Sequence, residues 1–278
     1  MTQTILITGC SSGFGKVIAR TFHDAGWNVA ATMRAPELER ELRADDRLLL
    51  VRLDVTEVES VDAAFEAARV RFGAVDAVVN NAGYGGNGMF EQFSAEDVDA
   101  MYATNVFGAM HVMRAALPEM RAAGRGVIVN VTSMAGHLGL PGNSVYASTK
   151  HALVGLTEAM ALEYAPLGVR ICNVAPGAYS TGFNAAVDWR VEIGDADLVA
   201  VSRGIRTRLE RAVQASATER GAPADVQEVA DHVFACVAGD RPINTPSGHD
   251  AEGLWAGMGQ QNRQAFLEQL GAMLAPAA

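Results

Sequence analysis

Short apolar runs alternate with longer stretches of helical periodicity along most of this chain, and few architectures accommodate that rhythm. Residues 4–8, 28–32, 48–53, 77–80, 126–132 and 170–175 read as strands rich in β-branched and apolar side chains. Between them the pattern predicts helices over 14–25, 58–72, 145–165 and 224–238. A further helical region runs from a capping-box-like Ser94-Ala-Glu-Asp97 to about residue 123, with aspartate in place of the usual Glu or Gln. Gly26 and Gly73 stand where the first two helices stop. Such alternation predicts an α/β fold of three layers, a doubly wound parallel sheet with helices on both faces. Ligands bind such sheets at the carboxyl ends of the strands, near the topological switch point. No repeat, low-complexity tract or flexible linker divides the chain, so residues 1–278 read as a single domain. Residues 182–220 are more charged and lack a strand pattern. They are expected to form a mobile helical segment covering the substrate.

Composition excludes several function classes. Apolar residues make up 49% and charged residues 19%, enough for a core and far from a disordered composition. The net charge of −10 argues against a nucleic-acid partner, which would need a basic footprint. Cys10, Cys172 and Cys236 are far apart and form no CxxC pair. That fits a reducing cytosol rather than a disulfide framework or a zinc site. The six histidines show no HExxH spacing, and no metal is expected. No basic segment leads into an apolar one near residue 1, and no apolar run approaches the roughly 18 residues of a membrane span. The expectation is a cytoplasmic protein with no membrane partner.

Thr8-Gly-Cys-Ser-Ser-Gly-Phe-Gly15 lies between the first strand and the first helix. Glycines there let the backbone turn tightly and approach a pyrophosphate, and the helix behind them offers free N–H groups and a positive dipole end. Gly9, Ser11, Ser12, Gly13, Phe14 and Gly15 are therefore candidate cofactor-binding residues. The spacing is TGxxxGxG rather than GxGxxG. The second strand runs into Ala31-Thr-Met-Arg34 with no acidic residue before the arginine. An acid there suits the ribose of NAD, whereas arginine matches the extra phosphate of NADP. NADP(H) is preferred over NAD(H), with Arg34 as a solvated surface charge the alternative.

Tyr146 and Lys150 are four residues apart near the start of a helix and share a face. A neighbouring cation favours the phenolate and is expected to lower the tyrosine's pKa from about 10, toward usable acid–base chemistry. Ser133 follows the fifth strand, where its hydroxyl could hold a substrate carbonyl oxygen. YxxxK alone is common, and the alternative is a packed tyrosine beside a solvated lysine.

TGCSSGFG at 8–15, LDVT at 53–56, NNAG at 80–83, Asn105 in TNVFG, Ser133 in VTS, YASTK at 146–150 and PGAYST at 176–181 stand in one order along the chain. With these motifs the chain resembles the short-chain dehydrogenase/reductase family, in its short single-domain branch, over about residues 1–182 and the helix near 224–238. The resemblance implies a Rossmann-type fold and a homo-oligomer, dimer or tetramer. It implies an NADP(H)-dependent oxidoreductase that interconverts a small-molecule ketone or aldehyde and an alcohol by hydride transfer. It makes Tyr146 the general acid or base and has Lys150 tune it and hold the nicotinamide ribose. Ser133 orients the substrate oxygen, and Asn105 holds a water linking Lys150 to solvent. Asp54 and Val55 flank the adenine. Asn81, Ala82 and Gly83 line the ribose region, and Asn80 ties the sheet together. Pro176, Gly177 and Thr181 hold the carboxamide side, and the basic position after the second strand falls on Arg34. The stretches 31–34 and 133–146 look like the 17-beta-hydroxysteroid and retinol dehydrogenase neighbourhood, which implies a bulky apolar substrate.

The chain departs from the family at Pro242-Ile-Asn-Thr-Pro-Ser-Gly-His249, where a terminal strand and a VDGG-like tail are usual. A helix-like stretch over 262–274 is expected to replace the tetramer contact that the family usually makes through its C-terminal strand. Two other functions compete with the oxidoreductase. A cofactor-binding regulator without turnover would usually have lost one of Asn105, Ser133, Tyr146 and Lys150. A sugar-nucleotide epimerase or dehydratase would usually carry TGxxGxxG and a larger C-terminal domain. Cys10 reads as a buried apolar residue within the turn, and His137 as a loop residue or an edge of the substrate pocket.

Overall fold

Alternate residues of a strand face opposite sides of its sheet, and here both sides are apolar. In β1 (Thr4–Ile7), Ile5 and Ile7 enter one core and Leu6 the other, all three fully buried. The computed structural model describes residues 2–179, 188–220, 224–239 and 241–274. After β1 the strands are β2 (Asn28–Met33), β3 (Leu48–Arg52), β4 (Ala77–Asn80), β5 (Gly86–Asn87), β6 (Gly126–Val131), β7 (Val169–Pro176), β8 (Asp188–Trp189) and β9 (Asn244–Ser247). Seven of them form one parallel sheet in the order β3-β2-β1-β4-β6-β7-β9, and β5 pairs with β8 separately. The chain thus winds outward from β1 in one direction, then returns to β4 and winds in the other. The crevice at this reversal lies between the ends of β1 and β4.

Helices cover both faces. On one lie α1 (Gly13–Asp24) and α7 (Val226–Ala238), which contribute Ile18, Phe22, Val229 and Val233. On the other lie α2 (Val58–Phe72), α4 (Gly108–Ala123) and α5 (Ser144–Tyr164), with Phe65, Val112, Met113 and Leu153. Each such fully buried side chain contributes about 1.5–3 kcal/mol of transfer free energy. The remaining helices are α3 (Ala95–Tyr102), α6 (Ala196–Arg220), α8 (His249–Gln260) and α9 (Arg263–Leu274). No helix among the described residues is long and apolar enough to cross a membrane.

The structure departs from the sequence pattern in two places that matter for the site. The helix expected from residue 94 to 123 is two helices, α3 and α4, joined by a π turn at Ala103–Phe107. Residues 244–247, which carry no strand signature, form β9. Pro246 is tolerated there because, among the described residues, β9 is an edge strand paired to β7 alone.

Four asparagines occupy one row across the sheet: Asn80 is in register with Asn130, Asn130 with Asn173, and Asn173 with Asn244. The Asn80 amide donates to Asn130 Oδ1 at 2.8 Å, and Asn130 Nδ2 donates to Thr157 Oγ1 of α5 at 2.8 Å. Asn173 Nδ2 donates to Asn244 Oδ1, and Asn244 Nδ2 reaches Glu158 Oε1 at 2.7 Å. These bonds satisfy polar groups that burial would otherwise penalise, and they pin α5 to the strand ends. Replacing Asn130 by leucine should lower unfolding stability by about 1–3 kcal/mol, because the Asn80 donor loses its buried acceptor. A urea titration checks this; an unchanged midpoint would remove the row from the stability of the sheet.

Candidate active site

The turn after β1 is built around two close approaches. Gly9 (φ 74°) and Gly13 (φ 56°) hold left-handed backbone that favours glycine. A Cβ on Gly15 would lie 2.5 Å from Asn81 Nδ2 and closer still to the Gly9 carbonyl oxygen. Ser11 and Ser12 are exposed, Phe14 is half-buried, and no side-chain bond caps the N-terminus of α1 at Ser12. The first-turn N–H groups of α1 thus border the crevice. Cys10 is fully buried beneath the turn, and burial pushes its thiol up to about 12.

The loop after β4 is stitched to this turn. The Thr8 hydroxyl accepts from the backbone N–H of Asn81 and of Ala82, both at 3.0 Å, and lies 3.3 Å from the Val79 carbonyl. Asn81 Nδ2 donates to the carbonyls of Thr8 (2.9 Å) and Gly9 (3.1 Å). The Asn81 amide nitrogen is therefore committed to shaping the turn. At the far end of the crevice, Arg34 is exposed at the end of β2. Asp54 is half-buried. Burial raises its carboxyl, but hydrogen bonds from Thr56 and the charges of Arg34 and Arg52 outweigh that and lower it. Val55 is buried, and its carbonyl is held by His111 Nδ1 at 3.0 Å.

Ser133, Tyr146 and Lys150 meet at the end of β6. Ser133 caps the turn Met134–Gly136, its Oγ accepting from Ala135 N at 3.1 Å. The Tyr146 phenol is hydrogen-bonded to the Ser133 side chain. Lys150 Nζ lies 5.6 Å from the centroid of the Tyr146 ring and donates to the Val131 carbonyl at 3.0 Å. The expected lowering of the Tyr146 pKa is not what this geometry produces. Burial pushes the phenol up to about 12, against the smaller stabilising bond from Ser133. Burial also pulls Lys150 down to about 8, and its ammonium faces the ring and a carbonyl.

Asn105 lies in the π turn and is buried beside this group. It exchanges hydrogen bonds with the Tyr84 backbone, Nδ2 to O at 2.8 Å and N to Oδ1 at 3.0 Å, and reaches Thr149 Oγ1 at 3.1 Å. A Cβ on Gly83 would sit 3.1 Å from Asn105 Oδ1 and 3.7 Å from Lys150 Nζ, so Gly83 separates the two. Pro176 is buried at the end of β7, and Gly177 N donates to Ser247 O at 3.0 Å. Thr181 lies outside the described residues. His137 is buried against Trp255 of α8, ring centroids 4.9 Å apart, beside Met258 and Phe266.

Sequence reasoning missed Thr8, Thr149 and Tyr179 as functional supports. Tyr179 is buried, meets the Phe14 ring edge-on at 5.3 Å, and donates to Glu228 Oε2 at 2.9 Å. All three lie inside or beside the quoted motifs, and that adjacency was the only signal available.

A doubly wound sheet with this turn at its switch point, and beside it Ser133 with the buried Tyr146 and Lys150, defines a nucleotide-dependent oxidoreductase class. A model of the short chain dehydrogenase family matches residues 3–191. The chain belongs to the short-chain dehydrogenase/reductase family and is an oxidoreductase of that family. It is 41% identical over 181 residues to a 3-ketodihydrosphingosine reductase of Bacteroides thetaiotaomicron, a match spanning 65% of each chain. A solved short-chain dehydrogenase from Streptomyces avermitilis superposes with a TM-score of 0.82 at 31% identity, covering 96% of both chains. Another, from Burkholderia cenocepacia and in complex with NADP, gives a TM-score of 0.76 at 25% identity, covering 99% of this chain and 98% of that one.

The buried lysine makes stability depend on pH in a definite direction. Lys150 is lowered from 10.5 to about 8 in the folded protein, so between those values the unfolded chain binds more protons. Its contribution to stability therefore rises as pH goes from about 8 to 10 and is absent below about 8. Denaturant titrations at pH 7.5 and 9.5 should show that rise in the wild type and a smaller one in Lys150→Met. Equal pH dependence in both proteins would mean that Lys150 is not desolvated.

Proposed function

We propose that the protein is an NADP(H)-dependent oxidoreductase acting on a ketone or aldehyde and the corresponding alcohol, with Tyr146 as proton donor. The observation that carries this is the buried Tyr146 phenol, hydrogen-bonded to Ser133 and faced by Lys150, at the strand ends beside the glycine turn. A turn whose glycine a Cβ would clash with, next to uncapped first-turn N–H groups, fits a dinucleotide pyrophosphate. Gly9, Ser11, Ser12, Gly13, Phe14 and Gly15 would hold that pyrophosphate. Asp54, Val55, Asn81, Ala82 and Gly83 would line the adenine and ribose side, and Pro176, Gly177 and Thr181 the nicotinamide side. Arg34, exposed where β2 ends, supports NADP over NAD, as does the NADP complex of the Burkholderia relative. When bound, the reduced cofactor supplies the hydride.

The protein's own part is the proton. Ser133 Oγ orients the substrate oxygen toward Tyr146 Oη. A phenol raised to about 12 is fully protonated at neutral pH, so it begins as an acid and suits the reductive direction. As the proton leaves, charge grows on Tyr146 Oη. The Ser133 bond and the Lys150 ammonium then stabilise it. Asn105, bound to the Tyr84 backbone and adjoining Gly83 beside Lys150, would hold the water through which Lys150 meets solvent. The ketone reading gains support from the Bacteroides relative, which is named a 3-ketodihydrosphingosine reductase.

Following NADPH absorbance against a panel of small and bulky ketones tests this reading. Wild-type protein should turn over at least one ketone, and Tyr146→Phe should lower kcat by about 10²–10⁴-fold. Wild-type turnover in Tyr146→Phe would eliminate the phenol as donor. Arg34→Ala should weaken NADPH while leaving NADH nearly unchanged; equal loss for both would dismiss the phosphate role.

A further inference from the structure

Gln92 is 2% exposed, an unusual degree of burial for a side-chain amide outside any sheet or long helix. Each of its polar atoms is used. Oε1 accepts from Met89 N at 2.7 Å and from Ser202 Oγ at 2.8 Å, and Nε2 donates to the Ile193 carbonyl at 2.8 Å. Met89 belongs to the loop after β5, Ile193 to the turn before α6, and Ser202 to α6 itself. One amide thus joins the loop beside the active site to a segment about a hundred residues further along the chain.

The surrounding contacts lead from that amide to Tyr146. Arg190 pairs with Asp97 of α3, Nη2 to Oδ1 at 2.8 Å, and its guanidinium lies 5.4 Å from the Phe93 ring centroid. Phe93 packs on the cluster that contains Tyr146, Val145 and Met101. Gly88 N donates to the Gly142 carbonyl at 2.9 Å, in the loop just before α5. A Cβ on Gly142 would lie 2.9 Å from Ile205 Cγ2 of α6. Among the described side chains of α6, only Ser202 and Ile205 are buried. A helix with so few buried contacts has little of its own to hold it in place, so the Gln92 bonds carry a large share of its docking.

We propose that Gln92 is a positioning residue that sets α6 against the loops flanking Tyr146 and thereby determines how tightly the carbonyl substrate is held. This rests on the reading of Tyr146 as the proton donor. Gln92 touches neither cofactor nor substrate; it acts through α6.

The test uses the full chain with Ser202→Ala, Gln92→Leu and Gln92→Glu. Ser202→Ala removes the bond from the α6 side and leaves the loop bonds of Gln92 intact. Amide hydrogen exchange over residues 196–205 should quicken in Ser202→Ala and Gln92→Leu. The KM for ketone should rise about tenfold, the equivalent of one lost hydrogen bond, with kcat within about twofold. NADPH affinity, measured by fluorescence titration, should stay at the wild-type value. Gln92→Glu adds a readout that general loosening would not produce. Its protonated carboxyl can donate to the Ile193 carbonyl and its carboxylate cannot, so its KM should be near wild type at low pH and climb as pH rises. Unchanged exchange and KM in both neutral variants would overturn the proposal. So would a pH-independent Gln92→Glu, or loss of NADPH affinity in step with KM. If the wild type reduces no ketone, the oxidoreductase reading of the site fails separately, and the exchange data alone judge whether Gln92 docks α6.

Discussion

A buried ammonium persists only where its surroundings replace the water it has lost, and Lys150 meets that demand at one place in the fold. Its donor reaches the last carbonyl of β6, and its charge faces the Tyr146 ring. To bring it there, α5 must cross the sheet at the end of β6. The Asn130–Thr157 bond, two helical turns along α5, holds that crossing. The Met134–Gly136 turn then lies directly on the helix: a Cβ on Gly136 would come within 2.9 Å of the Lys150 carbonyl. Ser133 at the head of that turn and Tyr146 on the helix are thereby left no freedom in their separation.

The cofactor side is governed by a different economy of bonds. Thr8 and Asn81 spend their side chains on backbone, closing the loop after β4 onto the turn after β1. The crevice is therefore lined by main chain and small residues, which can approach a pyrophosphate closely. The polar side chains that shape it stand behind that lining. Tyr179 extends the same arrangement to the other end, joining Phe14 of the turn to Glu228 of α7.

Most of the sheet was legible in the chain because β1, β4, β6 and β7 are buried on both faces and read as largely apolar runs, with asparagines as their main polar interruptions. β9 was not, because Asn-Thr-Pro-Ser carries no such run and depends on a single neighbour for its pairing. The break between α3 and α4 was hidden because a π turn keeps helical composition. Ser133, Tyr146, Lys150 and Asn105 could be named from motifs, and the structure brings them together. The direction of the Tyr146 shift could not, since it turns on desolvation, which depends on everything packed around the phenol. Gln92 was silent for a related reason: a polar residue between Glu91 and Phe93 signals nothing until the segment that buries it is folded.

The π turn at Ala103–Phe107 makes chain length itself a constrained quantity at this point. Each residue of an α-helix turns its successor by about 100°. Deleting a single residue here to make α3 and α4 continuous would swing Val112, Met113 and Ala116 away from the sheet, or else withdraw Asn105 from Thr149 and the Tyr84 backbone. Substitutions in this stretch can be absorbed one side chain at a time, whereas a change of length cannot. An insertion or deletion between Tyr102 and Gly108 therefore acts on the core and on the surroundings of Tyr146 and Lys150 together.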